Sequence, residues 1–202
     1  VKDSIAIIGA LLTIVSVIPY VIDIIKHRTR PNIVSWITWT LLTSIAAAAA
    51  YAAHEPRTGL LMIACMICTL SVVVVGARYG IAKFSWFDGF CQAGAVAGLI
   101  LWLMFNSPDI AIIATVSIDF LGALPTMLHA YKKPGEETWQ TFGIGVLGPL
   151  VTIISLSRYN IASLLYPIYL VIANSLITGL IVGRRKQLGM NLRKSIVILH
   201  TK

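Results

Sequence analysis

Two sets of polar residues recur at helical spacing in this chain, each inside a long apolar run. Thr13, Ser16, Tyr20, Asp23 and His27 stand at i, i+3, i+7, i+10 and i+14, steps that hold side chains near one face of a helix. Asp119, Gly122, Thr126, His129 and Lys133 repeat the same steps. Setting Pro19 on Pro125 brings the two sets into one register without a gap. Hydroxyls, a carboxylate and an imidazole along one face can hydrogen-bond a polar solute, and the carboxylate and imidazole can also carry a proton. A proton is therefore a candidate coupling ion. Asp119 lies about ten residues into its apolar run, where an aspartate in hydrocarbon costs roughly 2.5 to 3.5 kcal/mol and so belongs against a bundle interior or cavity. The hydroxyls of Thr115 and Thr126, about one and two turns away, are its expected hydrogen-bond partners. Asp23 and His129 each follow their proline by four residues and are expected to face one another near one mouth of the protein.

The prolines carry a mechanical role. A proline inside a helix lacks the N–H that would bond the carbonyl four residues earlier, and its ring kinks the helix. Pro19 and Pro125, at matching depth in matching runs, read as a pair of hinges. Pro149, Pro167 and the glycines Gly143, Gly145 and Gly148 make the later runs deformable too. Asn174 is buried in the last run and needs a partner.

Other chemistries find no support. Cys65 and Cys68 have C-x-x-C spacing, but no second pair of ligands completes a metal site. The motifs of zinc proteases and of α/β-hydrolases are absent, no paired carboxylates stand inside the apolar runs, and neither an enzyme nor a cofactor is expected. The net charge of +8 does not indicate nucleic acid, because the basic residues cluster at the ends of apolar runs, where they set topology.

These residues sit in a chain of 202 residues that is 57% apolar and 12% charged, with a mean hydropathy of +0.85. A soluble domain carries about 25% charged residues, so the lipid bilayer is the expected surrounding. About 20 apolar residues cross the hydrocarbon core, and seven runs of about that length are read at 4–25, 33–53, 58–77, 87–105, 110–131, 139–156 and 162–182. The N-terminal run is not expected to be a cleavable signal, since its positive cluster follows it. The expected fold is an all-α membrane protein whose seven transmembrane helices form two parallel triple-helix repeats joined by an inverting helix. The repeats are placed at residues 1–80 and 108–184, the linker helix at 81–107, and a basic, cytoplasmic tail at 185–202.

Orientation follows from the Lys and Arg count by loop. Lys26, Arg28, Arg30, Arg78, Lys83, Lys132, Lys133, Arg184, Arg185, Lys186, Arg193, Lys194 and Lys202 fall on one side, thirteen of the sixteen, and only Lys2, Arg57 and Arg158 on the other. The N-terminus is expected outside and the C-terminus in the cytoplasm, with the protein integral to a plasma (inner) membrane. Trp36, Trp86 and Trp139 at the starts of runs, and Trp102 towards the end of one, read as an interfacial aromatic belt. Trp39, one turn deeper, does not fit a belt. Gly94 with Gly98, and Gly179 with Gly183, allow close helix approach inside a bundle or in a homo-oligomer.

The stretch 17–36, with its helix proline, basic turn, second proline and Ser-Trp pair, and its shorter copy at 124–139 resemble the PQ-loop clan of membrane proteins. Within that clan the organisation is similar to the SWEET sugar transporters with their three-plus-one-plus-three helices. The resemblance implies a transporter that moves a small polar solute, sugar or amino-acid-like, by alternating access between its repeats. A binding protein or receptor without transport, like the KDEL receptors of the same clan, is the alternative it allows. It further implies contacts from paired asparagines on the third and seventh spans and tryptophans on the second and sixth. Thr69 stands at the third-span position, Asn174 close to the seventh-span one, and Tyr51 and Ile153 in the tryptophan neighbourhoods. Pro-Tyr at Pro19 and Pro-Thr at Pro125 replace the Pro-Gln common in the clan. The site residues expected are thus Thr69, Asp119, Asn174, Tyr20 and Thr126, with Pro19, Pro125, Asp23 and His129 as hinge or gate.

Overall fold

The computed structural model describes residues 1–29, 31, 33–79, 86–105 and 107–192. Arg30, Lys83, Arg193, Lys194 and Lys202 of the majority basic set, together with Asn106, lie outside the described residues, as do the surroundings of Gly98 and the side chains of Cys91, Trp102 and Pro125. All the regular structure among the described residues is helical: α1 (Lys2–Ile25), α2 (Ile33–Ala52), α3 (Pro56–Tyr79), α4 (Trp86–Phe105), α5 (Pro108–Lys132), a short 3-10 turn (Pro134–Glu136), α6 (Trp139–Gly145), α7 (Leu147–Ser155) and α8 (Ile161–Gln187).

Local chemistry sets the ends. His27 and His54 adopt φ of 54° and 57°, left-handed conformations that stop α1 and α2. The turns let Arg28 N–H bond Asp23 O at 2.8 Å and Glu55 N–H bond Ala50 O at 2.9 Å. Such reverse bonds satisfy carbonyls a helix end would otherwise leave open. His27 therefore leaves the polar stripe of α1. At the start of α8, Asn160 and Ser163 form a reciprocal capping box.

Among the described residues, five helices, α1, α2, α3, α5 and α8, are long and apolar enough to cross a membrane, which is compatible with an integral membrane protein. Their faces are inverted relative to a soluble protein. On α1 the polar residues Thr13, Ser16, Tyr20 and Asp23 are buried, while Ile7, Leu11, Ile18, Ile22 and Ile25 are 40–56% exposed. Hydroxyls and a carboxylate pointing inward with isoleucines pointing outward is the arrangement hydrocarbon favours and water does not.

The run expected as one continuous span at 139–156 is instead two helices. Pro149 has no N–H for the carbonyl of Gly145, four residues earlier, and the glycines around it hold the helix weakly. Val146 between α6 and α7 keeps near-helical angles, φ −72° and ψ −34°. The interruption is thus one of hydrogen bonding more than of direction. By contrast α1 and α5 run unbroken through Pro19 and Pro125.

Packing is reciprocal between the two halves of the chain. The helix α1 packs on α3 and also on α6 and α7, while α5 packs on α8 and also on α2; α4 lies against α5 and α2. One core joins Val17, Tyr20, Ile24, Trp36, Cys68 and Val72 within the first half, and another joins Ala130, Phe142, Ile177 and Ile181 within the second. Between the halves, Ile45 and Ala49 meet Ala111, Ile112 and Ala162, and Ala46, Ala47, Leu61 and Met62 meet Tyr166. Trp36 is only 8% exposed; it belongs to the first core, stacked 5.0 Å from Tyr20, and not to an interfacial belt. The face of α2 that it occupies turns it inward.

Candidate functional site

Midway along the bundle the helices leave a cavity of about 140 Å³. Its walls come from α1, α2 and α3 on one side and from α5, α6, α7 and α8 on the other. Of the residues expected at a site, Thr69, Asp119 and Asn174 all line it. Each stands near the middle of its helix. Tyr20 and Thr126 are not among the lining residues: Tyr20 backs Trp36 in the neighbouring core, and Thr126 is half-buried elsewhere on α5.

Asp119 is 7% exposed and accepts a 2.7 Å hydrogen bond from the Tyr166 hydroxyl. Tyr169 lies against the same carboxylate, its ring edge-on to that of Tyr166 with centroids 5.8 Å apart. The expected threonine partners do not serve. Thr115 gives its hydroxyl to Ala111 O and Ile112 O within its own helix, as threonines in helices commonly do. Tyrosine can reach across where threonine cannot, because its hydroxyl stands a ring's length from the backbone. The spacing that could have found these partners was present: Tyr166 and Tyr169 stand at i and i+3, on one face of the last run.

Asn174 answers the break in the sixth run. Its amide Nδ2 donates to Gly145 O at 3.4 Å, the carbonyl that Pro149 leaves without a helical partner. Gly145 and Pro149 themselves line the cavity, so the interrupted backbone faces it. A second proline follows the same logic: Pro167 frees Ser163 O, and Thr58 of α3 donates its hydroxyl there at 2.8 Å. Thr69 takes a hydrogen bond from Thr40 at 3.0 Å. Thr141 lines the cavity, and its Oγ1 is buried with no hydrogen-bond partner, a polar atom that calls for an explanation.

The aromatic wall is formed by Trp36 and Trp39, perpendicular to each other at 5.0 Å, together with Tyr169. These tryptophans stand where the resemblance did not place them, nearer the start of α2 than Tyr51, which is 45% exposed. Among the described residues, no lysine, arginine or histidine lines the cavity, and Asp119 is its one carboxylate.

Polar networks tie the two halves together at both ends of the bundle. At the end where α1 begins, Lys2 donates to Leu156 O at 2.7 Å, Arg57 pairs with Asp3 at 2.9 Å and bonds Ser157, and Glu55 meets Asn160 at 2.9 Å and Arg158 at 3.7 Å. The three minority basic residues thus share one end. At the other end Thr138 donates to Asp23 Oδ2 at 2.7 Å, Thr29 bonds Thr138 at 3.2 Å and Glu136 O at 3.3 Å, and His129 lies 3.4 Å from Glu136 and 3.8 Å from Glu137. Asp23 and His129 both reach the segment 136–138 and are not simply solvated helix ends. Arg185, expected in a surface tail, is 1% exposed; it donates to Pro134 O at 2.9 Å and Glu137 O at 2.8 Å, because α8 runs past the expected boundary. Burial, the neighbouring Glu136 and the opposing pull of Arg185 together leave the Glu137 carboxyl raised to about 8. Against known proteins, no family model, no curated protein and no solved structure matches this chain.

Proposed function

We propose that this protein is a membrane transporter that moves a small polar solute by alternating access between two triple-helix units, one of α1 to α3 and one of α5 to α8, with α4 as the linking helix. The observation that carries this reading is the cavity midway along the bundle, lined from both units, with separate polar networks crossing between the units at its two ends. Rocking one unit against the other opens one network while the second holds. The interrupted hydrogen bonding at Val146 beside the cavity supports it too, since backbone groups freed inside a membrane helix are tolerated where they border a cavity, and interrupted helices recur at transporter sites. In this reading the fold is PQ-loop and SWEET-like, the heavily basic end is cytoplasmic, and the end holding Lys2, Arg57 and Arg158 is outside.

The test is counterflow in liposomes with each end locked in turn, in a background lacking Cys65, Cys68 and Cys91. A disulfide between cysteines at Thr29 and Thr138 closes one end. A short thiol cross-linker between cysteines at Glu55 and Arg158 closes the other. Either lock is expected to stop exchange, and releasing it to restore exchange. Exchange that continues with an end locked removes alternating access, and ligand-induced stabilisation with no exchange in the unlocked protein favours a receptor or binding protein on the same fold.

A further inference from the structure

Asp119 is a buried carboxylate in a cavity to whose wall the described residues contribute no cationic side chain. A charge taken out of water without a counter-charge is strongly unfavourable, and hydrogen bonds from neutral hydroxyls offset only part of that. The Tyr166 hydroxyl supplies one such bond. What the site lacks is positive charge. Trp36, Trp39 and Tyr169 line the same cavity, and the faces of tryptophan and tyrosine attract cations through their ring quadrupoles, most strongly where water is excluded. Thr141 adds an unpartnered buried hydroxyl on the same wall. Carboxylate, aromatic faces and a spare hydroxyl are the recognition set for an ammonium group that bears a short polar arm.

Size narrows the class. The cavity holds about 140 Å³, close to the roughly 150 Å³ of a dry protein cavity that accommodates benzene. We infer that the solute is a small organic cation, a primary or quaternary ammonium compound, held with its charge against Asp119 and its methyl or methylene groups against the tryptophans. This inference rests on the transport reading for its setting, but the binding site it assigns stands or falls separately.

Choline and 3,3-dimethylbutan-1-ol share one shape and differ in the charge of the central atom. Titrated into the purified full chain in detergent and followed by tryptophan fluorescence and calorimetry, choline is expected to bind at least tenfold tighter than its neutral isostere and tighter than erythritol. Asp119→Asn should collapse that preference to within about twofold, and Trp39→Leu should weaken choline while leaving the isostere little changed. Equal affinity for choline and the isostere in the wild-type protein overturns the inference, whatever the variants do, as does a preference untouched in a folded Asp119→Asn protein. Counterflow separates the two claims. Choline that binds selectively but does not exchange refutes transport and leaves the cation site, whereas exchange of erythritol without choline refutes the cation site and leaves transport.

Discussion

A proline in a membrane helix creates a carbonyl that must find a new donor, because an unsatisfied backbone group in hydrocarbon is costly. This chain supplies two such donors from neighbouring helices, Asn174 to Gly145 O and Thr58 to Ser163 O. The second lends itself to measurement. Thr58→Val keeps the shape and deletes the hydroxyl, stranding Ser163 O at a site where Thr58 is 1% exposed, and should cost about 1 to 3 kcal/mol. Combining it with Pro167→Ala restores an N–H to α8 for the same carbonyl, so the double variant should recover most of the loss in thermal unfolding. A double variant no more stable than Thr58→Val would show that the hydroxyl does not serve the proline. The freed carbonyls were legible in the sequence, four residues before each proline. Which side chain answers them was not, because that depends on how two distant helices are rotated against one another.

Among the helices, the closest approach falls where no G-x-x-x-G pair marks it. Gly9 of α1 faces Gly148 of α7: a Cβ on Gly9 would lie 2.9 Å from Gly148 O and 2.8 Å from Thr152 Oγ1, and one on Gly148 would lie 2.8 Å from Gly9 O and against Thr13. Each glycine is followed four residues later by a threonine that packs on the opposite glycine, which makes the crossing reciprocal. A methyl group at Gly148 meets backbone that cannot swing aside, so Gly148→Ala should part α1 from α7 and lower the unfolding temperature by several degrees, the effect of a loss of 1 to 3 kcal/mol from overpacking. Gly179→Ala meets nothing within 4 Å and should be neutral or gain up to about 1 kcal/mol from helix propensity. Similar destabilisation by both changes would contradict the assignment of the crossing. Run length located α1, α2, α3, α5 and α8, the described helices long and apolar enough to cross a membrane, to within about five residues at each end, since crossing length is set by hydrocarbon thickness. It placed the sixth run but not its break, and it gave the position of Trp36, Tyr20 and Thr126 along their helices without the direction each one faces. Direction comes from packing, and the polar stripe of α1 signalled it only as far as Asp23, where the left-handed turn at His27 ends the helical register.

At the scale of the whole molecule, the two polar ends differ in what pH can do to them. The network at the Asp23 end contains Glu137, 7% exposed, with Oε2 lacking a hydrogen-bond partner and its carboxyl raised to about 8, chiefly by burial, then by Glu136, against the pull of Arg185. The ionisable groups around it come from every element packed there: Glu136 from the 3-10 turn, His129 from α5, Arg185 from α8, and Tyr20 from α1. An acid whose pKa is higher in the folded network than in the open chain binds its proton more tightly when the network is closed. Its contribution is therefore fully present below about 4.5, the ordinary carboxyl value, and is lost as the pH rises through about 8. Raising the pH should loosen the segment 134–138 that holds Thr29 and Asp23. Hydrogen exchange of its amides, corrected for intrinsic exchange, should accelerate as the pH rises from about 4.5 to about 8 and level off above, the interval between the open and closed values. Glu137→Gln, which stays neutral throughout, should remove the acceleration and keep the segment protected at the alkaline end. In the transport reading this end is the cytoplasmic gate, so the same variant should also flatten the rise in counterflow with cytoplasmic pH that easier opening produces. Protection that is independent of pH in the wild-type protein, or an acceleration that persists in Glu137→Gln, would show that the gate is held by its hydroxyl and arginine contacts alone.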